Sequence, residues 1–281
     1  MRDGAVQLAN PPPSYFPGEE PLHNLFNATK IPTSSAVAMR AVFDMEYGDG
    51  EIAKILEAEA RYNNIKYLMW QPMEYVFISK NPINKLADLK GLKMRATGIY
   101  DPMVQKKFGG IPVALFAPEF YEGLARGTVD TIPVYGEVIV PLKLHEVARY
   151  FSFGFGAINS EPVVINLDVW NSFSPDIKDA FANIDFLKQS TEKFIAIWED
   201  FHEKDWKIVK DSGVTFVQVD PAEQQQIYDA WIEVTIQAYP AELAKVGKEA
   251  QALLVLDAWL KATTGQPLSY WDQKYGITRK K

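Results

Sequence analysis

The sequence predicts an α/β fold arranged as two lobes. Three observations carry this. Strand-like runs alternate with helical ones from the N-terminus to about residue 166, the pattern of an α/β sheet. A helical pattern free of proline then runs from Pro175 to about Lys210; a helix of about 35 residues would span about 50 Å, longer than one lobe, so it is expected to back two. Finally, 281 residues at 47% hydrophobic and 23% charged suit one large domain or a pair of lobes.

The elements follow in order. Asp3-Gly4 reads as a turn and Ala5–Leu8 as a strand. Asn10–Pro13 and Ser14–Gly18 cannot continue a sheet, because proline donates no hydrogen bond. They form a rigid loop at a strand's C-terminal end, either a structural bend or a ligand contact; Asn10 and Tyr15 are its ligand candidates. Thr33 or Ser34 caps a helix over Ala36–Tyr47, and Glu51–Tyr62 is a second helix, with Ile52, Ile55, Leu56 and Ala60 on one face. Ile65–Trp70 and Tyr75–Ser79 read as two strands, and the link Gln71-Pro72-Met73-Glu74 as a second cleft wall. Asp101–Phe108 is a short helix, FGGIPV a turn into a strand, Pro118–Arg126 a helix ended by Gly127, and Val129–Val134 the next strand. Tyr135–Val140 follows as strand end or loop, then a helical piece to Glu146. Phe151–Ile158 and Pro162–Asn166 are two more strands. Beyond the long helix, Val214–Val217 returns as a strand, Pro221–Tyr239 and Ala241–Thr263 are helices, and the tail with Trp271 and Tyr275 packs on the surface.

Composition excludes several functions. The net charge of −7, from 29 basic and 36 acidic residues, disfavours nucleic acid as a partner. The absence of cysteine excludes disulfides, thiolate catalysis and cysteine-bound metals. No run of about 18 apolar residues marks a transmembrane helix, and MRDGAVQLANPPPSYFPG lacks the basic-then-apolar pattern of a signal peptide. The three histidines, His23, His145 and His202, stand in no metal-ligand spacing and read as surface or capping residues. There is no GxSxG elbow, P-loop or GxGxxG. Neither a cofactor nor a metal is expected.

One stretch stands out: Asn81–Gly98, NPINKLADLKGLKMRATG. Gly91 enters a left-handed bend without steric cost. Leu92, Lys93, Met94 and Arg95 then alternate as a strand does, and Ala96-Thr97-Gly98 leave room beside the guanidinium. A buried arginine is costly unless paired, and its planar fork matches a carboxylate. Arg95 is therefore either half of a structural ion pair or a ligand anchor.

These residues also carry a family likeness. KLADLKGLKMRATG, FGGIPVALFAPEFYEGLARGTVD, LHEVARYF and VINLDVWNSFSPDIKDAF occur in an order that resembles the TRAP-transporter solute-binding proteins of the dicarboxylate-receptor type, and SYFPGEEPLHNLF fits the same pattern. The resemblance implies a periplasmic-binding-protein-like fold of class II type: lobe I over 1–94, lobe II over 95–167, and a bracing helix with C-terminal helices over 168–281. It implies a periplasmic protein, monomer or dimer, that closes on a small organic acid and delivers it to TRAP membrane permease subunits. It makes Arg95 the carboxylate anchor. By position, Glu74, Tyr75, Phe116, Tyr135 and Glu161 join Asn10 and Tyr15 as ligand contacts, and the set suggests a monocarboxylate with an apolar or aromatic body. The chain begins near the family's third strand, so a strand–helix–strand unit of roughly 30 residues is expected to be missing ahead of it, leaving a central edge unpaired. A sensor or receptor-docking module, or an enzyme on the same scaffold, are the rival readings, since fold does not fix function.

Overall fold

The computed structural model describes residues 1–28, 34–155 and 158–279. Strand β1 (Leu8–Ala9) is followed by a 3-10 turn at Pro13–Tyr15 and by α1 (Asn24–Ala28), α2 (Ser35–Tyr47) and α3 (Glu51–Tyr62). Next come β2 (Ile65–Ser79), β3 (Lys93–Ala96), α4 (Tyr100–Lys107), β4 (Ile111–Ala114), α5 (Phe120–Ala125), β5 (Thr131–Tyr135), α6 (Leu144–Val147), β6 (Tyr150–Phe153) and β7 (Ile158–Asn166). The remainder is α7 (Leu167–Ser172), α8 (Pro175–Ala182), α9 (Ile184–Asp211), β8 (Thr215–Gln218), α10 (Pro221–Ala244), α11 (Glu249–Thr264) and α12 (Leu268–Tyr275). The strands pair in the order β1-β7-β2-β5-β3-β4, with β6 joining β2 to β8. β3 lies parallel to β4 and β5, whereas β2 runs antiparallel to β5, β6 and β7.

Several sequence expectations are corrected here. β1 is shorter than Ala5–Leu8 and shifted to Leu8–Ala9. The two strands and loop expected over residues 65–79 are one strand of 15 residues. Its first part pairs with β7 alone, and Pro72 stands opposite Ser160. The other edge of that part carries no strand among the described residues, a setting in which proline is tolerated. Phe151–Ile158 is not one strand: β6 stops at Phe153, and Gly154 turns the chain with φ +96°. The long helix breaks at Asn183, whose backbone is extended, leaving α9 with 28 residues, or about 42 Å.

Pro240 does not end a helix either, since α10 runs through it to Ala244. A proline inside a helix leaves the carbonyl four residues back without its usual donor. That carbonyl, of Ile236, accepts instead from Arg279 Nη2 at 2.9 Å. The cap of α2 is Ser34, whose hydroxyl accepts from the Val37 amide at 3.3 Å; the alternative, Thr33, lies outside the described residues.

Two hydrophobic cores result. The first packs Leu25, Phe26, Met39, Val42, Tyr67, Trp70 and Met94 against Trp231, Ile236 and Trp259 of α10 and α11. The second packs Val76 and Ile78 against Phe120, Leu124, Ile132, Val134, Leu144 and Phe151. β2 serves both, because successive side chains leave opposite faces of a strand: Phe77 enters the first core, Val76 and Ile78 the second. α9 also reaches both, through Ile195 and Val209.

The first core also holds charge. His23, expected at the surface or at a cap, is fully buried. Its Nδ1 lies 2.8 Å from Glu59 and its Nε2 3.3 Å from Glu46, and its ring stacks on Tyr67 at 4.2 Å. Glu59 accepts in addition from the Leu22 and His23 amides and from Lys248 Nζ at 2.8 Å. Burial opposes the imidazolium, but Glu46 and Glu59 outweigh it and push His23 up to about 10. The side chain of His202 lies outside the described residues.

Candidate functional site

β3 delivers Arg95, and its local sequence explains how. Gly91 takes φ +78°, and its amide donates to the Gly109 carbonyl at 2.8 Å, which turns the chain into the strand. The Lys93 amide donates to Asp130 Oδ2 at 2.8 Å, setting β3 beside β5. Met94 then faces the first core, and Arg95 leaves the opposite face.

Arg95 is 2% exposed. Its Nε donates to the Leu115 carbonyl at 3.3 Å, its Nη1 to the Pro133 carbonyl at 3.4 Å, and its Nη2 to the Tyr15 hydroxyl at 3.4 Å. Tyr75 adds a further hydrogen bond, and the guanidinium carbon lies 5.0 Å from the centre of the Phe120 ring. Burial works against the charge; Tyr75, Asp101 and Tyr15 more than compensate and hold the side chain protonated. Among the described residues no carboxylate comes within ion-pairing distance of it. Charge-assisted bonds between N–H and carboxylate run about 2.7–2.9 Å, so the three neutral oxygens at 3.3–3.4 Å hold this cation loosely.

The aromatic candidates gather around it. Tyr15 meets Phe116 edge-on, with ring centres 4.9 Å apart. Tyr75 and Tyr135 stand opposite each other in the β2–β5 ladder, with ring centres 5.8 Å apart. Tyr15 and Phe116 line a groove of about 500 Å³ together with Ser14, Ala96, Thr97, Gly98 and Lys106. Phe116 is 46% exposed at its mouth.

A second polar group adjoins the first. Glu161 of β7 stands opposite Gln71 of β2 and is 6% exposed. Asn10, with its amide oriented to satisfy both ends, accepts from Gln71 Nε2 at 2.7 Å and donates to Glu161 Oε2 and the Pro162 carbonyl at 3.3 Å. Burial and the neighbouring Glu137 push Glu161 up to about 7, against the pull of Arg95. Burial and Glu161 in turn push the Tyr135 phenol upward.

The structure thus brings Arg95, Tyr15, Tyr75, Phe116 and Tyr135 together and sets Asn10 and Glu161 beside them. Glu74 lies in β2 opposite Ile158; its side chain lies outside the described residues. Phe120, Gln71 and Glu137 were missed as site residues. Gln71 belongs to a segment already read as a cleft wall, and Glu137 follows Tyr135 by two. No sequence signal pointed to Phe120, which reads only as the first apolar residue of a helix. Among the described residues no group of three or more His, Asp or Glu is arranged to hold a metal ion, and no helix is long and apolar enough to cross a membrane.

Comparison with known proteins adds the following. Residues 1–241 match bacterial extracellular solute-binding protein, family 7. The 2,3-diketo-L-gulonate-binding periplasmic protein YiaO of Escherichia coli is 27% identical over 188 residues, covering 65% of this chain and 55% of that protein. The sialic acid-binding periplasmic protein SiaP of Vibrio cholerae is 25% identical over 142 residues, covering 50% and 43%. The chain therefore spans about half the length of the curated relatives it matches. In three dimensions it superposes on a TRAP periplasmic solute-binding protein of Desulfovibrio salexigens with bound orotic acid, at a TM-score of 0.76 and 20% identity, covering 93% of this chain and 82% of that one. That likeness shows the fold.

Proposed function

The chain belongs to bacterial extracellular solute-binding protein family 7, and from that premise we propose that it captures an organic acid through Arg95 and passes it to the membrane permease of a TRAP transporter. One observation carries the reading: a buried guanidinium ringed by aromatic side chains, with the Leu115 and Pro133 carbonyls and the Tyr15 hydroxyl at 3.3–3.4 Å and no carboxylate within ion-pairing distance among the described residues. A ligand carboxylate offers it two ionised acceptors in the plane of its fork. The relatives' names agree in kind, being those of proteins for 2,3-diketo-L-gulonate and sialic acid.

In this reading residues 1–94 and 95–167 form the two lobes, and 168–281 brace them. The ligand enters the open form, Tyr15 yields its place on Arg95 Nη2 to the ligand oxygen, and Tyr135 and Phe116 cover the body. Excluding water lowers the local dielectric and strengthens the pair. Bending falls on the crossing strands near Arg95–Thr97 and Ile165–Leu167. The protein works on the periplasmic side as a carrier without turnover.

The test is calorimetry with the acid that co-purifies, identified by mass spectrometry. Arg95→Ala is expected to cost about 2–5 kcal/mol of binding, as for one partner of a buried charge pair, with the far-UV spectrum unchanged. Unaltered affinity would make Arg95 structural.

A further inference from the structure

Glu161 has a setting that the capture of a carboxylate does not account for. A buried carboxylate is costly unless donors or cations surround it. Among the described residues, Glu161 meets only the Asn10 amide at 3.3 Å and no cation within ion-pairing distance. The other charge close to it is a second carboxylate, Glu137, which follows β5, with Arg95 of β3 acting from the opposite side. The two ends of the cluster are tied to one strand face: Tyr75 bonds Arg95, and Gln71, four residues earlier on β2, stands opposite Glu161. Residues four apart share a face, and the separation along the strand is about 13 Å. Tyr135 senses both ends. The cluster is therefore polarised, cationic at Arg95 and acidic at Glu161.

We infer that Glu161, backed by Glu137, is the specificity-determining residue of this site, and that the ligand is a monocarboxylate bearing a hydrogen-bond donor, hydroxyl or ammonium, at the end opposite its carboxylate. The inference rests on Arg95 as the carboxylate anchor. With the carboxylate on Arg95, the far end of the ligand meets Glu161, whose charge Glu137 reinforces from its own buried carboxylate. A hydroxyl or ammonium there adds a donor to the single Asn10 amide that Glu161 has. A methyl group leaves the buried carboxylate unsatisfied, and a second carboxylate adds like charge to a pair already in repulsion. Burial and Glu137 raise the proton affinity of Glu161, in keeping with a carboxylate that gains from a further donor.

Two matched series isolate the far end: hexanoate, 6-hydroxyhexanoate, 6-aminohexanoate and adipate, and phenylacetates carrying the corresponding para substituents. Calorimetry on the wild-type chain is expected to rank a donor-bearing member first, with the unsubstituted acid and the dicarboxylate weaker by up to about a hundredfold, the cost of leaving a buried acceptor without a donor. A preference for the hydroxyl member assigns a neutral donor, and a preference for the ammonium member an ion pair. Glu161→Gln is expected to narrow the gap to the dicarboxylate and to weaken the ammonium member most, and Glu137→Gln to do the same more weakly. Thermal melting checks that each variant is folded. Equal binding of all four members, abolished by Arg95→Ala, would overturn the role of Glu161 and leave the anchor standing. Binding that survives Arg95→Ala would overturn the anchor itself.

Discussion

Arg95, Glu161 and His23 are three buried charges held in different ways. Arg95 has neutral oxygens, Glu161 has one amide and a repelling acid, and His23 lies between two carboxylates. The difference shows in pH dependence. Glu161 binds its proton more tightly folded than unfolded, at about 7 against 4.5. Its contribution to stability is fully present below the unfolded value and is lost as pH rises through 7. Glu161→Gln should therefore stabilise the ligand-free protein relative to wild type at pH 8, by on the order of a few kcal/mol, seen as a higher melting temperature, and change it little at pH 4. His23 follows the same rule on the alkaline side, with 6.5 unfolded and about 10 folded. Its stabilisation is complete below pH 6.5 and is lost as pH rises through 10. Wild type should lose melting temperature between pH 7 and 10.5, and His23→Gln, already destabilised by about 3–5 kcal/mol through the carboxylates left unpaired, should lose less over the same interval.

At the scale of elements, the site depends on how the Pro13–Tyr15 turn seats against β3. Gly98 takes φ +59°, and a Cβ there would lie 3.2 Å from the Ser14 carbonyl. Gly98→Ala carries a left-handed backbone cost of about 1–2 kcal/mol and presses on the residue next to Tyr15. It should lower stability by about that amount and also weaken ligand binding, whereas Gly127→Ala, with φ +71° but no atom within 4 Å, should lower stability alone. Paired melting and calorimetric measurements separate the two effects. The small residues after Arg95 were read as leaving room for something to approach the guanidinium; the structure shows the Ser14–Tyr15 loop packed there.

Across the whole molecule, β2 and α9 each feed both cores. A helix contacting both binds their stabilities together, so unfolding of one exposes apolar surface of the other. Ala196 is exposed in α9, one residue past Ile195 of the first core and ahead of Val209 of the second. Ala196→Pro should cost about 3 kcal/mol or more through the lost helical bond and the ring clash. It should also split a single calorimetric transition into two. One sharp transition in the variant would show that the cores stay coupled without an intact α9.

What could be read from the sequence was local or periodic. The elements α2, α3, α4 and β4 follow from spacing and caps within about 15 residues, whereas the helix expected over Ala241–Thr263 splits between the end of α10 and α11; Arg95 stands out because a lone arginine in an apolar strand needs a partner. The likeness of KLADLKGLKMR and APEFYEGLARGTVD to one family supplied the fold and the organic-acid reading. The errors fall where distant residues decide. Pro240 stays helical because Arg279 takes the Ile236 carbonyl, and β2 runs unbroken because β7 comes alongside. His23 is buried because Glu46 and Glu59 come from α2 and α3 to hold its charge. The candidate site divides in the same way. Sequence pattern and family likeness named Arg95 and its candidate partners but not Phe120, Gln71 or Glu137. Only tertiary structure set Phe120 beneath the guanidinium and put two carboxylates near one another at the far end of the cluster, because the sign and strength of a buried charge's interactions depend on which groups the fold brings within a few ångströms.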